Sequence, residues 1–306
     1  MESREQPPML AADPRPGFTL VELMVTIVII TILASLSLAG LNVTRGRARA
    51  DATRSTIRKL NEIIIPQYEH YMRRRVRVAA NPSSKTASSQ SRLLRIRTLQ
   101  MREMPDTWAD VYADVTTVNN LPIVPAGSAT DLGYLKTSSV RAYARLKSSL
   151  TNPQAQYGSE ECLYMIVARS GYEPDVLETF RSDEIADKDG DGAPEFIDGW
   201  GTPIAFLRWA PGHSNPPLSF VQTNSATTNH DPFDPQRVDS AAYNLVPLIV
   251  SAGADASFGL NVASRQSVGW NGLDLTSVVT ADGVTGATDG SRDAADNISN
   301  HMFASE

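Results

Sequence analysis

The sequence predicts an α+β fold: a long N-terminal transmembrane and stem helix packed on a small antiparallel sheet, with extra helices and loops. Three observations predict it. Residues 18–41 form a 24-residue apolar run with one charge, Glu22, long enough to cross a hydrocarbon core as a helix. Apolar residues at helical spacing continue through residues 48–76. After Gly199 the pattern changes to short apolar runs closed by Pro-Gly or Gly, the signature of strands and turns.

Taken in order, residues 1–17 are a polar, Pro-rich leader whose composition predicts disorder. Residues 18–41 are the transmembrane segment. Residues 42–80 continue it as a stem, with Ile57, Leu60, Ile64, Tyr68, Tyr71 and Met72 on one face. Pro66 has no N–H and should kink this helix or interrupt one turn of it. Residues 81–306 form a soluble head. Within it, the Ser-rich stretch 81–91 reads as a loop and 92–103 as a short Arg-rich helix carrying Leu93, Leu94, Ile96, Leu99 and Met101. Residues 116–130 read as a loop with Pro122 and Pro125. Residues 132–150 are an amphipathic helix through Leu132, Leu135, Val140, Tyr143 and Leu146, broken by Asn152-Pro153. A further helix covers 158–170. Strands are expected at 204–209, ended by Pro211-Gly212, and at 244–251, ended by Gly253. Residues 213–239 are a polar, Pro-rich insertion, and 281–296 are Gly/Asp-rich with little strand signal. The small sheet should pack on the stem helix.

The chain has 306 residues and a net charge of −6, leaving a head large enough for one domain with a real core. The single cysteine, Cys162, excludes an intramolecular disulfide. It lies in an apolar helical run and reads as a buried structural thiol. The net charge hides an asymmetry. Residues 42–102 carry 15 Lys/Arg against 3 Asp/Glu, and residues 103–306 carry 11 against 27. The basic stem fits anionic lipid headgroups, the acidic head of a neighbouring copy, or plain solvation; nucleic acid is not an expected partner. His70, His213, His230 and His301 are scattered without zinc spacing. The chain has no Gly-x-Ser-x-Gly elbow and no phosphate loop, so nothing in it supports an enzyme.

A carboxylate near the start of a membrane segment costs on the order of 2–3 kcal/mol, so Glu22 needs a partner. The stretch Gly17-Phe18-Thr19-Leu20-Val21-Glu22 resembles the N-terminus of type IV pilins and type II secretion pseudopilins. A secretory signal would place an Ala-x-Ala-like cut after the apolar core; here the cut precedes it. The resemblance implies that a prepilin peptidase cuts after Gly17 and that Phe18 becomes the methylated N-terminus. It further implies that Glu22 pairs with the N-terminal amine of a neighbouring subunit, and that the fold is pilin-like. Its partners would be the peptidase, other pilin or pseudopilin subunits, the assembly platform and the bacterial inner membrane. The head would then lie on the periplasmic or extracellular side. Arg45, Arg47, Arg49 and Arg54 follow the apolar run, and the positive-inside rule alone would place them in the cytoplasm. The cleavage motif must meet a cytoplasmic peptidase, so the resemblance decides the expected orientation.

In the head, Asp187, Asp189 and Asp191 stand at positions 1, 3 and 5 of a loop with Gly192 at position 6. The carbonyl of Ala193, Glu195 and Asp198 follow at positions 7, 9 and 12. This is the spacing of an EF-hand-type calcium loop, and crowded carboxylates repel one another without a cation. Calcium is the expected cofactor. Position 12 is Asp rather than Glu and no helix follows, so an isolated extracellular-type loop is expected rather than a paired sensor. Asp198-Gly199-Trp200-Gly201-Thr202-Pro203 resembles the Asp-x-Trp-Gly-x-Pro segment of the major pseudopilin. Ser251–Asp255 and residues 293–298 are similar to that family's C-terminal elements, which makes Asp255, Asp293 and Asp296 second-choice ligands. The reading is a structural subunit of a secretion pseudopilus or a type IV pilus. The alternative is a membrane-tethered, calcium-dependent binding or adhesion module that does not polymerise.

Overall fold

The computed structural model describes residues 17–76, 84–111, 137–150, 156–171, 175–213, 221–262, 265–266, 279–280 and 283–303. The leader expected at 1–17 thus lies, apart from Gly17, outside the described residues. So do the loop expected at 116–130 and the start of the helix expected at 132–150. The chain divides into two units, Met1–Arg47 and Ala48–Glu306.

Helix α1 spans Leu20–Arg73, 54 residues without a break, and passes through Pro66. In the first unit its large apolar side chains, from Leu20 to Val43, are exposed, as is Phe18 before it. By length and composition this segment is long and apolar enough to cross a membrane. In the second unit α1 becomes a core element. Ile57, Leu60, Ile64, Tyr68 and Tyr71 are buried, as the period predicts, and Ile63 joins them; Met72 lies off the stripe and is exposed.

Helix α2 spans Lys85–Glu103. It begins seven residues earlier than the apolar pattern suggests. Ser84 caps it by accepting the Ala87 N–H at 3.0 Å, so the following serines enter the first turn instead of a loop. Leu93, Leu94, Ile96 and Leu99 pack against α1 in the main core. Helix α3 spans Ser138–Ser149, capped by Thr137, and α4 spans Gly158–Arg169. Cys162 on α4 is fully buried, and burial pushes its thiol well above the ordinary value, as expected of an inert structural cysteine.

The strands are short. β1 (Ile185–Ala186) and β2 (Glu195–Phe196) make an antiparallel pair. The central sheet has the order β3 (Ala205–Leu207), β4 (Leu248–Ser251), β8 (Ile298–Ser299), all antiparallel. A third sheet joins β5 (Arg265–Gln266), β6 (Val279–Thr280) and β7 (Gly283–Val284). β3 and β4 fall inside the expected segments but are shorter. β7 lies in the Gly/Asp-rich stretch, where no strand was expected. In the central sheet Phe206 pairs with Ile249 and faces the core shared with α1, α2 and α4. Ala205, Leu207, Leu248 and Val250 face a second core with Leu260 and Ala294, the alternation a sheet covered on both faces requires. A third cluster holds Trp108, Val111, Tyr143, Cys162, Met165 and Ala193 beneath the acidic loop.

The charge asymmetry is partly resolved within the chain. Lys59 of the stem pairs with Glu184 at 2.9 Å, and Arg74 with Glu103 at 3.2 Å. Arg97 of α2 is buried between Asp231 and Asp239, at 2.7 and 2.9 Å. The segment expected as a polar insertion therefore supplies two counter-charges to α2, and its Phe233 enters the main core.

Candidate functional site

The acidic loop runs from the end of β1 to β2. Gly190 and Gly192 have φ of +78° and +96°, left-handed conformations that cost a glycine little. These turns fold the loop's carboxylates back on its own backbone. Asp187 accepts the N–H of Gly190 at 2.7 Å and of Gly192 at 3.0 Å, and Asp191 accepts that of Ala193 at 2.7 Å. Asp187, Asp189 and Asp191 each bring one oxygen within 4.8 Å of the others.

A second trio meets this one through Asp189. Glu195 of β2 and Glu161 of α4 join Asp189 within the same 4.8 Å limit. Glu161 was not anticipated from the sequence. It lies 26 residues before Asp187, inside a helical run that read only as apolar packing. Its pairing with Glu160 in the first turn of α4 was the available signal. Glu195 Oε2 accepts the Lys188 N–H at 2.9 Å, and Glu161 Oε2 accepts the indole N–H of Trp108. The Oε1 atoms of both residues are buried without a hydrogen bond, although Glu195 and Glu161 are only 0 % and 1 % exposed. An unsatisfied buried acceptor costs about 1–3 kcal/mol, more when charged. Burial pushes the Glu161 carboxyl up to about 8, with the Trp108 bond opposing and Asp191, Asp189 and Glu195 adding to the shift. Glu195 is pushed up to about 7, chiefly by burial, against the Lys188 N–H and with repulsion from Asp189, Asp187 and Asp191. The donors are all carboxylate oxygens, the chemistry of a hard divalent cation.

Asp198 is a correction to the expected ligand set. It points into the turn that follows. Its Oδ1 accepts the N–H groups of Trp200 and Thr202, both at 2.9 Å, and its Oδ2 accepts the Ser251 hydroxyl at 2.7 Å. The Asp-Gly-Trp-Gly-Thr-Pro turn is thereby tied to β4, and its Gly199 N–H donates to Thr53 of the stem at 2.9 Å. A side chain at Gly199 would strike the carbonyl of Arg49. Ala193 contributes its N–H to Asp191 and its methyl to the cluster under the loop. Asp255, Asp293 and Asp296 are brought together around Ser257 and Gly253, but as turn formers. Asp296 accepts the N–H of Ala254 at 2.7 Å, Asp255 that of Ser257 at 2.9 Å, and Asp293 the Ser257 hydroxyl at 3.0 Å.

At the other end of the chain, Thr19 is the cap of α1. Its hydroxyl and its N–H both donate to Glu22 Oε2, at 2.8 and 2.9 Å, and the Glu22 N–H donates back to the Thr19 hydroxyl at 3.2 Å. This is a capping box at the start of the helix. Gly17 and Phe18 precede the first helical turn and are exposed. A small residue without helical structure, an exposed aromatic and a carboxylate in the first turn therefore open the apolar helix in immediate succession. Residues 15–38 match the prokaryotic N-terminal methylation motif. The chain carries this methylation motif. No curated protein and no solved structure matches the chain. The match is consistent with a precursor of the type IV pilin or pseudopilin kind, and the α+β architecture behind one long apolar helix fits that plan. The methylation motif is a signal for prepilin peptidase, and its family is structural. The matched stretch includes Gly17, Phe18 and Glu22, and the apolar half of α1 behind it is consistent with membrane anchoring.

Proposed function

We propose that the chain is a filament subunit of the pilin class, processed between Gly17 and Phe18 and assembled through the first half of α1. The observation that carries this reading is the exposure of that half-helix. Every large apolar side chain from Phe18 to Val43 is exposed, directly behind a peptidase signal. A helix apolar all round must lie in lipid or among other helices, and a filament core of identical helices supplies the second environment once the subunit leaves the first. Glu22 is the one charge in the segment and would give register by pairing with the new amine of a neighbouring Phe18. Paired charges leave the bilayer more cheaply than a lone one. Among filament types we favour a secretion pseudopilus, on the resemblance of the Asp198–Pro203 turn and its anchorage to the stem through Thr53. The head would lie on the periplasmic side.

Mass spectrometry of the membrane-extracted protein tests the processing step. A mature N-terminus at methylated Phe18 is expected; an intact leader or a cut elsewhere sinks the reading. A second reading, a membrane-tethered module that does not polymerise, draws on the capping box, which gives Glu22 a partner within its own chain. Cysteine crosslinking along α1 separates the two, because a filament gives crosslinked ladders of many copies and a tethered module at most pairs.

A further inference from the structure

We infer that Glu161, Asp189 and Glu195 form a calcium site that fastens helix α4 to the acidic loop, with Asp187 and Asp191 at its outer side. This goes beyond the filament reading and does not depend on it. It also differs from a free-standing EF-hand-type loop in its ligands, since Glu161 enters from a different element and Asp198 is engaged in the next turn.

Three observations carry the inference. Oxygens of Glu161, Asp189 and Glu195 lie within 4.8 Å of one another, and Asp189 shares the same spacing with Asp187 and Asp191. Glu161 and Glu195 are fully buried, yet each leaves its Oε1 without a hydrogen bond while Oε2 is held, by Trp108 and by the Lys188 N–H. The free oxygens thus belong to side chains fixed in place, and a cation among the three carboxylates would satisfy them together. Among the described residues no Lys, Arg or His makes an ion pair with any of the five carboxylates, so no cation among the described residues neutralises their charge. An all-oxygen donor set selects a hard cation, and a glycine-turned loop whose three Asp residues meet Glu195 of β2 and Glu161 of α4 suits the larger, irregular coordination of calcium over the strict octahedron of magnesium.

The consequence is mechanical. α4 packs on both β2 and β3, while the loop is held otherwise by its own short bonds and by the Ala193 methyl in the cluster beneath it. A cation bridging Glu161 to Asp189 and Glu195 ties the helix to the loop and fixes the strand pair behind it. The competing arrangement is a single proton shared between Glu161 and Glu195, which would satisfy the same two oxygens without metal.

The test uses the full-length chain in detergent, stripped with EGTA and titrated with CaCl₂, MgCl₂ and TbCl₃. Millimolar calcium is expected to raise the thermal midpoint by several degrees, with magnesium weaker. Terbium should give emission sensitised through Trp108, displaced by calcium and reduced in Trp108→Phe. Glu161→Gln keeps the shape and an acceptor for Trp108, and should weaken calcium binding at least about tenfold while leaving the midpoint in EGTA unlowered. Glu195→Gln serves as the second variant should the first not fold, and Asp255→Asn should leave affinity unchanged. The inference is overturned if calcium leaves the midpoint unmoved, or if Glu161→Gln binds calcium like the wild type. A calcium-insensitive protein that both Gln variants stabilise equally would establish the shared proton instead.

Discussion

The Thr19 hydroxyl and the Thr19 N–H converge on one oxygen of Glu22, at 2.8 and 2.9 Å. The charge that looks misplaced in an apolar segment is therefore satisfied before any neighbour arrives. Both donors fall on Oε2, and among the described residues Oε1 makes no hydrogen bond. A capping box is worth about 1 kcal/mol of helix stability, and it also holds the carboxylate at the end of the helix, where a neighbour's amine can reach it.

This geometry separates two roles of Glu22. Gln serves a capping box as well as Glu does, but carries no charge. Glu22→Gln should therefore keep insertion and helix start while losing filament incorporation, and Glu22→Ala should lose both cap and incorporation. Thr19→Ala should remove the cap alone and assemble at near-normal levels. Membrane fractionation with recovery of sheared filaments measures both properties. Normal incorporation of Glu22→Gln would show that the carboxylate acts only as a cap.

Asp198 is predicted to matter for the fold and not for calcium. Asp198→Ala leaves the Trp200 and Thr202 N–H groups and the Ser251 hydroxyl without their acceptor. The loss should be on the order of 2–4 kcal/mol, as expected when one buried and two part-buried donors are orphaned. Denaturant unfolding measures it. Calcium titration of the same variant should give wild-type affinity, and a marked loss of affinity would return Asp198 to the ligand set.

His301 predicts a pH dependence. Burial, reinforced by the His213 ring 5.2 Å away, lowers its pKa to about 3, against bonds to the carbonyls of Pro247 and Val246. The unfolded chain binds a proton near pH 6.5, where the folded chain does not. Stability therefore falls as pH drops from 6.5 towards 3, by about 1.4 kcal/mol per unit from this group. His301→Gln removes the group, so its stability should fall less steeply than the wild type's over that window. Parallel pH profiles would show that His301 is not the group responsible.

The parts of the fold legible in the sequence were those with a period. The stripe from Ile57 to Tyr71 placed the stem against the head because a 3.6-residue repeat has only one way to bury itself. The strands at Phe206 and Ile249 showed through their apolar runs and turn residues. β8 did not, because two residues in a polar context carry no pattern, and their strand character comes from pairing with Val250 and Ser251. The N-terminal motif was legible because its residues fall within six consecutive positions, Gly17 to Glu22, inside the stretch 15–38 that matches the methylation motif. The acidic loop was legible only in its local half. Asp187, Asp189 and Asp191 announce themselves by spacing, but Glu161 reaches the loop only after α4 packs on β2. Asp198 misled for the converse reason: the twelve-residue count is a property of the chain, and the direction of a side chain is a property of the turn it sits in.

Arg97 provides the last prediction. Its guanidinium is buried between Asp231 and Asp239, and burial raises the Asp231 carboxyl even though Arg97 opposes the shift. Replacing Arg97 by Met leaves two buried carboxylates without their cation, which should cost about 3–5 kcal/mol near neutral pH. Removing the arginine pushes Asp231 up further. A carboxyl whose folded value lies above its unfolded one loses stability as pH rises from the lower value to the higher. The penalty of Arg97→Met should therefore shrink as pH falls from neutral towards the ordinary carboxylate range, the reverse of the direction expected for His301. Denaturant midpoints of wild type and variant across that range decide it, since simple loss of packing at Arg97 would give a penalty independent of pH. Replacing Arg97, Asp231 and Asp239 together by apolar residues of similar volume should recover most of the loss, because the penalty lies in the orphaned charges and not in the missing ion pair.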